Sequence, residues 1–355
     1  MKLSLQTTSL DTTDIKTIKR FPDTRYMGSK RKLLPMISDV LDMLSIDSAL
    51  DAFSGSGCVG YLMKQKGIET TTNDFLKFSY HITKATIENN NDTLTDKDIA
   101  LLLKNNPKKD SFISTRFKDL YFSDEDNKFL DNLWSNIDKL SSPDKVSLAL
   151  SSASRACMKR RARGIFTYTG TRYLDGRRDE KYSLKEHFVK AANEWSGAVF
   201  DNGKVNKALN LDVFDVPKKK YDLVYIDPPY VSPMSDNDYT RRYHFIEGLM
   251  SYWRDETIQE HTITKKIKSK PSLFSTKMTI HTAFDQLFDK FRDSILLVSY
   301  SSNNIPDKEE MIDLLKKYKK QVEVFEFNYT YSFGTHNHIV ANSNNKVAEY
   351  LFLAK

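Results

Sequence analysis

The sequence predicts an α/β fold of the doubly wound, Rossmann-like class, in which helices cover both faces of a mainly parallel sheet. A short apolar segment at 49–53 is typical of a buried strand, a second strand is predicted at 68–72, and each is followed by apolar residues at helical spacing. Such a β-α-β-α alternation indicates parallel strands, because parallel neighbours need a crossover connection. The alternation stops between 89 and 204 and then resumes, which predicts one sheet interrupted by a mainly helical inserted domain.

The first predicted elements lie close together in the chain. Helical spacing of apolar residues covers 32–44, and the strand 49–53 runs into a glycine-rich turn. The helix after that turn ends at Gly67, since glycine commonly ends helices. The strand 68–72 and an amphipathic helix over 75–85 complete the first part of the sheet.

The sheet resumes after the helical segment. Three apolar segments predict further strands, at 208–211, 221–226 and 294–300. A helix begins after Asp307, with Glu310 three residues on, as in a capping box. The final strands, 321–331 and 347–353, flank a loop and are expected to pair as an antiparallel hairpin. We therefore predict a sheet domain formed by 20–88 and 205–355, with the insertion at 89–204.

Composition excludes several classes of protein. Hydrophobic residues make up 39% and charged residues 28% of the 355 residues, which suits a folded chain. No apolar run approaches the roughly 18 residues of a membrane span, and the first 14 residues lack the apolar core of a signal peptide. Cys58 and Cys157 are too few for a disulfide framework or a cysteine-based zinc site. We expect a cytoplasmic protein without a metal centre, and we assign His336 and His338 to a loop.

The turn after the first strand has the composition of a ligand cradle. Gly55 and Gly57 allow a ligand to approach the backbone and leave the amides of the following helix free. Asp74, at the end of the second strand, suits the two ribose hydroxyls of a nucleotide-like ligand. Gly60 completes the glycine spacing of a dinucleotide site, so this motif alone does not exclude a binding site for a nicotinamide cofactor.

The segment from Asp227 to Tyr230, Asp-Pro-Pro-Tyr, follows the strand 221–226. Two consecutive prolines donate no backbone hydrogen bonds and fix an extended turn. Backbone carbonyls and the Asp227 carboxylate then form a notch rich in acceptors, beside the Tyr230 ring. The notch suits an amino group on a flat ring, because both amino hydrogens find acceptors and the nitrogen lone pair is aimed at an electrophile.

These motifs, in this order, resemble those of a known family. Arg25 to Lys30 (RYMGSK), Asp51 to Gly57 (DAFSGSG) and Asp227 to Tyr230 (DPPY) are similar to the Dam-like class of DNA adenine-N6 methyltransferases. That class uses S-adenosylmethionine and includes many enzymes of restriction–modification systems. The resemblance extends to 238–245 and the C-terminal strands, so it covers most of the chain outside the insertion.

The resemblance implies roles for individual residues. Cofactor-binding roles fall on Tyr26, Lys30, Asp51, Phe53, Ser54, Gly55, Gly57, Asp74, Phe75, Asp212 and Phe214. Asp51 would shape the methionine side of the pocket, Asp74 would hold the ribose, and Asp212 would receive the adenine amino group. Catalytic roles fall on Asp227, Pro228, Pro229 and Tyr230. The implied partners are double-stranded DNA and a restriction endonuclease, in a chain encoded by a bacterium, an archaeon or a phage.

The positive charge of the chain is concentrated in the insertion. The stretch 155–190 contains eleven basic and four acidic residues. Its net charge of +7 equals that of the whole chain. Lysine and arginine there would neutralise phosphates, and arginine would read guanine. The predicted DNA-binding residues are Arg160, Arg161, Arg163, Tyr168, Arg172, Arg177 and Arg178. A solvated charged face is the alternative interpretation.

Other functions remain open on the motifs alone. The same notch would accept the amino group of cytosine, or of adenine in RNA. A DNA-binding protein that has lost catalysis would be a different class, although the intact acidic residues speak against it. A nicotinamide oxidoreductase explains neither the Asp-Pro-Pro-Tyr motif nor the basic stretch.

Overall fold

Seven strands form one mixed sheet in the part of the chain that the structure describes. The computed structural model describes residues 20–170, 174, 176–231, 238–270, 272–302, 304–330 and 346–355. In chain order the strands are β1 (Ser48–Asp51), β2 (Glu69–Asn73), β3 (Lys207–Leu209), β4 (Leu223–Ile226), β5 (Ile295–Ser301), β6 (Val322–Thr330) and β7 (Lys346–Ala354). Across the sheet they lie in the order β3-β2-β1-β4-β5-β7-β6.

The strand order confirms the predicted doubly wound sheet. The first five strands are parallel neighbours, whereas β7 runs antiparallel between β5 and β6. The predicted C-terminal hairpin is thus confirmed. From β1 the chain proceeds to β2 and β3 on one side, and from β4 to β5 on the other. The strand order therefore reverses between β1 and β4. Ligands of such sheets bind in the crevice beyond the carboxyl ends of the strands at the point of reversal.

Helices cover both faces of the sheet. The described α-helices are α1 (Leu34–Asp42), α2 (Cys58–Gln65), α3 (Lys77–Thr83), α4 (Asp96–Leu103), α5 (Phe112–Arg116), α6 (Asp124–Ile137), α7 (Pro143–Arg160), α8 (Leu184–Ser196), α9 (Tyr239–Leu249), α10 (Ile280–Lys290) and α11 (Lys308–Lys316). The predicted capping box of α11 is confirmed, since Asp307 and Glu310 each accept the other's backbone N–H. None of the described helices is both long and apolar enough to cross a bilayer.

Alternate side chains of the central strands enter two different hydrophobic clusters. Ala49 of β1 and Tyr225 of β4 belong to one cluster, and Leu50 of β1 and Val224 of β4 belong to the other. Because successive residues of a strand point to opposite faces, each cluster fills one face of the sheet. The sheet is therefore the middle layer of three.

The segment 89–204 is helical, as predicted, and shares a core with the sheet. Trp195 of α8 and Tyr61 of α2 both pack against Phe21, with ring centres 6.0 Å and 4.7 Å from that of Phe21. The Tyr61 hydroxyl also donates to the carbonyl oxygen of Ala198 at 2.7 Å. The division of 89–204 from the sheet as a separate domain stays a prediction.

Candidate active site

The turn after β1 has a left-handed backbone conformation that its glycines allow. Gly55 and Gly57 adopt φ values of 47° and 78°, in the left-handed region. A Cβ atom on Gly55 would lie 3.0 Å from the ring of Tyr26. Both the conformation and the close approach of Tyr26 therefore require glycine at position 55. Gly57 precedes α2 as its N-cap residue.

Asp74 holds this turn in place. Its carboxylate accepts the backbone N–H of Gly55 at 2.8 Å and that of Leu76 at 2.9 Å. Burial raises the pKa of Asp74 to about 6, although these two hydrogen bonds oppose the shift. The side chain that the sequence assigns to a ribose thus also shapes the glycine turn.

Asp51 is the most perturbed carboxyl group of the turn. Its Oδ2 accepts the N–H of Gly60 at 3.1 Å, whereas Oδ1 is buried and has no hydrogen-bond partner among the described residues. Burial, followed by the negative charge of Asp227, raises the pKa of Asp51 to about 8. The Oγ of Ser54 is likewise buried and has no hydrogen-bond partner in the part of the chain that the structure describes. These two oxygens can accept hydrogen bonds from a ligand in the cavity.

Asp227 follows β4 and lies beside Lys30. The Lys30 Nζ is 2.8 Å from the Asp227 Oδ1, and the two side chains are 7% and 15% exposed. The Tyr230 hydroxyl donates to the same carboxylate oxygen at 3.0 Å. Burial raises the pKa of Asp227, and the charge of Lys30 is the main opposing cause.

The Tyr230 ring forms one wall of the notch. Its face lies 4.7 Å from the Lys30 Nζ, and its edge contacts Tyr300, with ring centres 4.9 Å apart. The Lys30 ammonium is therefore hydrogen-bonded to a carboxylate and placed over an aromatic ring. An amino group on a flat base would need the same two contacts.

One cavity brings together most of the predicted site residues. Those that line it are Tyr26, Lys30, Asp51, Phe53, Ser54, Gly55, Asp74, Phe75, Asp227, Pro228, Pro229 and Tyr230. Asp212 lines a smaller cavity that shares Phe53, Phe75 and Pro229 with the first. Phe214 stacks on Phe274, with ring centres 6.0 Å apart, and does not reach either lining.

Some basic side chains of the stretch 155–190 are exposed, whereas others are buried or hydrogen-bonded within the protein. Arg161 is only 4% exposed, donates to the carbonyl oxygens of Tyr168 and Gly170, and lies over the ring of Tyr168. Arg160 donates to Asp126 and to the carbonyl oxygen of Glu180.

The remaining predicted DNA-binding residues differ in exposure. Arg163 and Arg178 are exposed, whereas Arg177 is half-buried beside Glu180. The Tyr168 hydroxyl donates to the carbonyl oxygen of Ala162 at 2.5 Å. Arg172 lies outside the described residues, as do His336 and His338.

Two of the site residues that the sequence did not predict lie close to the proposed chemistry, Tyr239 and Glu349. Tyr239 of α9 lines the main cavity and stacks on Tyr26, with ring centres 5.5 Å apart. Glu349 of β7 is 2% exposed and lies 3.4 Å from the Tyr230 hydroxyl. A single acidic residue within the apolar strand 347–353 was the available signal for Glu349.

Fold and site together define a class of enzyme. A doubly wound sheet with a glycine turn after β1 and an Asp-Pro-Pro-Tyr notch after β4 is the framework of a methyltransferase that acts on amino groups. Residues 26–314 match the profile of the D12 class N6 adenine-specific DNA methyltransferases, and the chain belongs to this family.

Curated relatives agree with this assignment. The chain is 28% identical over 353 residues to the type II methyltransferase M2.HphI of Haemophilus parahaemolyticus, covering 95% of this chain and 98% of the relative. It is 31% identical over 320 residues to the modification methylase StsI of Streptococcus sanguinis, covering 83% of this chain but only 46% of the relative. The viral type II methyltransferase M.CviAII of Paramecium bursaria Chlorella virus 1 is 25% identical over 350 residues, covering 92% of this chain and 97% of the relative.

Proposed function

We propose that this protein transfers the methyl group of S-adenosylmethionine to the N6 amino group of a flipped-out adenine in double-stranded DNA, as the modification enzyme of a restriction–modification system. One observation carries the proposal. The acidic residues Asp51 and Asp74 and the notch of Asp227 and Tyr230 line the same cavity. A methyl donor and an amino acceptor bound at these two places would lie next to each other.

The cofactor end of the cavity suits S-adenosylmethionine. The unpaired oxygens of Asp51 and Ser54 provide acceptors for the ammonium group of its methionine part. Asp74 would hold the ribose hydroxyls beside Phe75, and Asp212 would receive the adenine amino group, with Phe214 nearby. Tyr26 and Gly55 would shape the pocket. When bound, the cofactor supplies an electrophilic methyl carbon.

The notch prepares the amino nitrogen for attack. Asp227 accepts one N6 hydrogen, a carbonyl of the Pro228–Pro229 turn accepts the other, and Tyr230 stacks on the base. This arrangement counters delocalisation of the nitrogen lone pair into the ring. The lone pair would form the bond to the methyl carbon as the carbon–sulfur bond breaks and its electrons stay on sulfur. The N6 proton hydrogen-bonded to Asp227 would pass to that carboxylate, so positioning and charge stabilisation are the main contributions. The Lys30 ammonium lies at this place in the structure, beside Asp227 and over the Tyr230 ring, so the base would have to displace it.

The proposed DNA substrate requires base flipping and a surface for the backbone. An adenine stacked inside a duplex cannot enter a cavity at the edge of a sheet, so it must leave the helix. The segment 89–204 carries the positive charge for phosphate contacts, with Arg163 and Arg178 exposed. The names of the relatives, type II methyltransferase and modification methylase, support the pairing with a restriction endonuclease.

Nucleoside analysis of the methylated product tests the proposal. The purified protein is incubated with tritium-labelled S-adenosylmethionine and with unmethylated duplex DNA, single-stranded DNA or RNA. We expect label in N6-methyladenine from duplex DNA. Label in N4-methylcytosine, label in RNA alone, or no transfer to any substrate would contradict the proposal. Sequencing of methylated bases in cells that express the chain then gives the recognition sequence.

A further inference from the structure

The strand β7 places an acidic residue next to the proposed methyl-transfer site. Glu349 pairs in register with Ser301, the last residue of β5, because β7 is antiparallel to β5. It therefore lies at the same edge of the sheet as Asp51, the last residue of β1, and Asp227, the residue that follows β4. The profile of the family covers only residues 26–314, so Glu349 lies beyond the part of the chain that this profile describes.

The surroundings of Glu349 join it to Asp227 through Tyr230. Glu349 is 2% exposed, and its Oε2 lies 3.4 Å from the Tyr230 hydroxyl, which is itself 3.0 Å from the Asp227 Oδ1. Glu349 also lines a cavity with Tyr26 and Lys30. A buried carboxylate is costly unless a charge or hydrogen bonds offset its desolvation. The carboxylates of Asp227 and Glu349 thus lie on either side of the Tyr230 phenol, and the Lys30 ammonium lies beside Asp227.

We propose that Glu349 is a positioning residue for methyl transfer, which acts on Asp227 through its charge and through the shared Tyr230 hydroxyl. The inference rests on the proposed function. It assigns to the C-terminal strand a part in the chemistry, in addition to its part in the sheet.

The charge of Glu349 makes Asp227 a stronger hydrogen-bond acceptor. A nearby like charge favours the protonated form of a carboxyl group, and Glu349 is among the causes that raise the pKa of Asp227. The N6 nitrogen becomes positive as its bond to the methyl carbon forms, and it then releases one proton. An acceptor with a higher proton affinity stabilises that change, and the second negative charge adds to the effect.

Several groups besides Glu349 act on Asp227. Those that face it from the surrounding elements are Tyr26, Lys30, Asp51, Tyr225, Tyr230 and Tyr239. Burial is the largest cause of the raised pKa of Asp227, and Lys30 lowers it. A variant of Glu349 must therefore be compared with the wild type while all of these groups are kept.

The pH dependence of kcat tests the proposal, measured at saturating cofactor and DNA. In Glu349→Gln we expect the acidic limb of the profile to move to lower pH by about one unit and the plateau to fall about tenfold, with KM values unchanged. Glu349→Asp keeps the charge, so its acidic limb should stay near that of the wild type. An acidic limb of Glu349→Gln that coincides with the wild type, or an unchanged plateau, would overturn the inference.

A second measurement is independent of turnover. The carboxyl carbon of Asp227 in selectively labelled, ligand-free protein is titrated by NMR and assigned with Asp227→Asn. Its pKa should fall in Glu349→Gln and stay unchanged in Glu323→Gln, which removes an exposed carboxylate from β6. If the wild type transfers no methyl group, the proposed function fails. If the pKa of Asp227 is the same in both variants, the role of Glu349 fails.

Discussion

At the residue scale, Asp51 has the largest consequence for ligand binding. Its pKa is raised to about 8, and its Oδ1 is buried without a described partner. At neutral pH the ligand-free protein therefore holds Asp51 mainly in the protonated form. A cationic ligand would favour the ionised form, so binding and loss of the proton are coupled.

This coupling predicts the pH dependence of cofactor affinity. Below pH 8, ionising Asp51 opposes binding, so the affinity for S-adenosylmethionine should rise with pH, by up to about tenfold per pH unit. Isothermal titration calorimetry between pH 6 and pH 7.5 measures it, because the ammonium group of the cofactor itself loses its proton near pH 8. Asp51→Asn should bind more weakly at high pH and show a flatter dependence, whereas Asp42→Asn, an exposed control on α1, should match the wild type. Equal slopes for the wild type and Asp51→Asn would contradict the assignment.

At the scale of elements, the parallel pairing of β1 with β4 assembles the site. Asp51 pairs in register with Tyr225, so Asp227 follows two residues later at the same edge of the sheet. The glycine turn and the Asp-Pro-Pro-Tyr turn then line one cavity, although they lie far apart in the sequence.

The end of α7 separates two roles within the basic stretch. Arg161→Ala should lower thermal stability, because it removes two donors to backbone carbonyls and a contact with Tyr168, and leaves buried acceptors unpaired. Arg163→Ala should leave stability within about 0.5 kcal/mol of the wild type. It should instead weaken duplex binding and reduce the slope of log K against log salt by about one.

Thermal unfolding and DNA binding at several salt concentrations separate these outcomes. Arg178→Ala, at a second exposed position, should behave like Arg163→Ala. A stable Arg161→Ala variant with impaired DNA binding would show that Arg161 contacts the nucleic acid. Unchanged binding in both Arg163→Ala and Arg178→Ala would contradict the role of this surface.

Much of this architecture could be predicted from local patterns. The strands β1, β4 and β5 lie in short apolar segments, β2 is rich in β-branched threonine, and the capping box of α11 depends on two residues three apart. The contact between Lys30 and Asp227 could not be predicted in the same way, because it depends on how the N-terminal segment crosses the strand ends. The burial of Arg161 could not be predicted for a related reason. A run of charges indicates a solvated surface, and only the packing around the end of α7 shows that this side chain is buried.

At the scale of the whole molecule, the segment 89–204 and the sheet stabilise each other. The segment contributes Trp195, Phe188 and Leu148 to the same hydrophobic cluster as Tyr61 and Leu223. Helices α3 and α7 are also joined by a hydrogen bond between His81 Nδ1 and Ser147 Oγ at 3.1 Å. A target-recognition segment that shares this core would move with the cavity as one unit.

Limited proteolysis tests this cooperation between segment and sheet. Because one cluster spans both parts, we expect the region 89–204 to resist release as a stable fragment, and one thermal transition for the whole chain. Trp195→Ala should lower the free energy of unfolding by about 3–5 kcal/mol. On heating, this variant should lose S-adenosylmethionine binding at the same lowered temperature at which it unfolds. Two separate transitions, or a protease-resistant fragment of 89–204, would show an independent domain.

The role of Asp227 as acceptor of the target amino group is the central claim, and a single substitution tests it. We measure tritium transfer to duplex DNA and S-adenosylmethionine binding for the wild type, Asp227→Ala and Asp293→Ala, an exposed control. Asp227→Ala should lose methyl transfer by at least about 100-fold and keep cofactor binding within a few-fold, while the control is unchanged. Methyl transfer by Asp227→Ala at the rate of the wild type would contradict the claim.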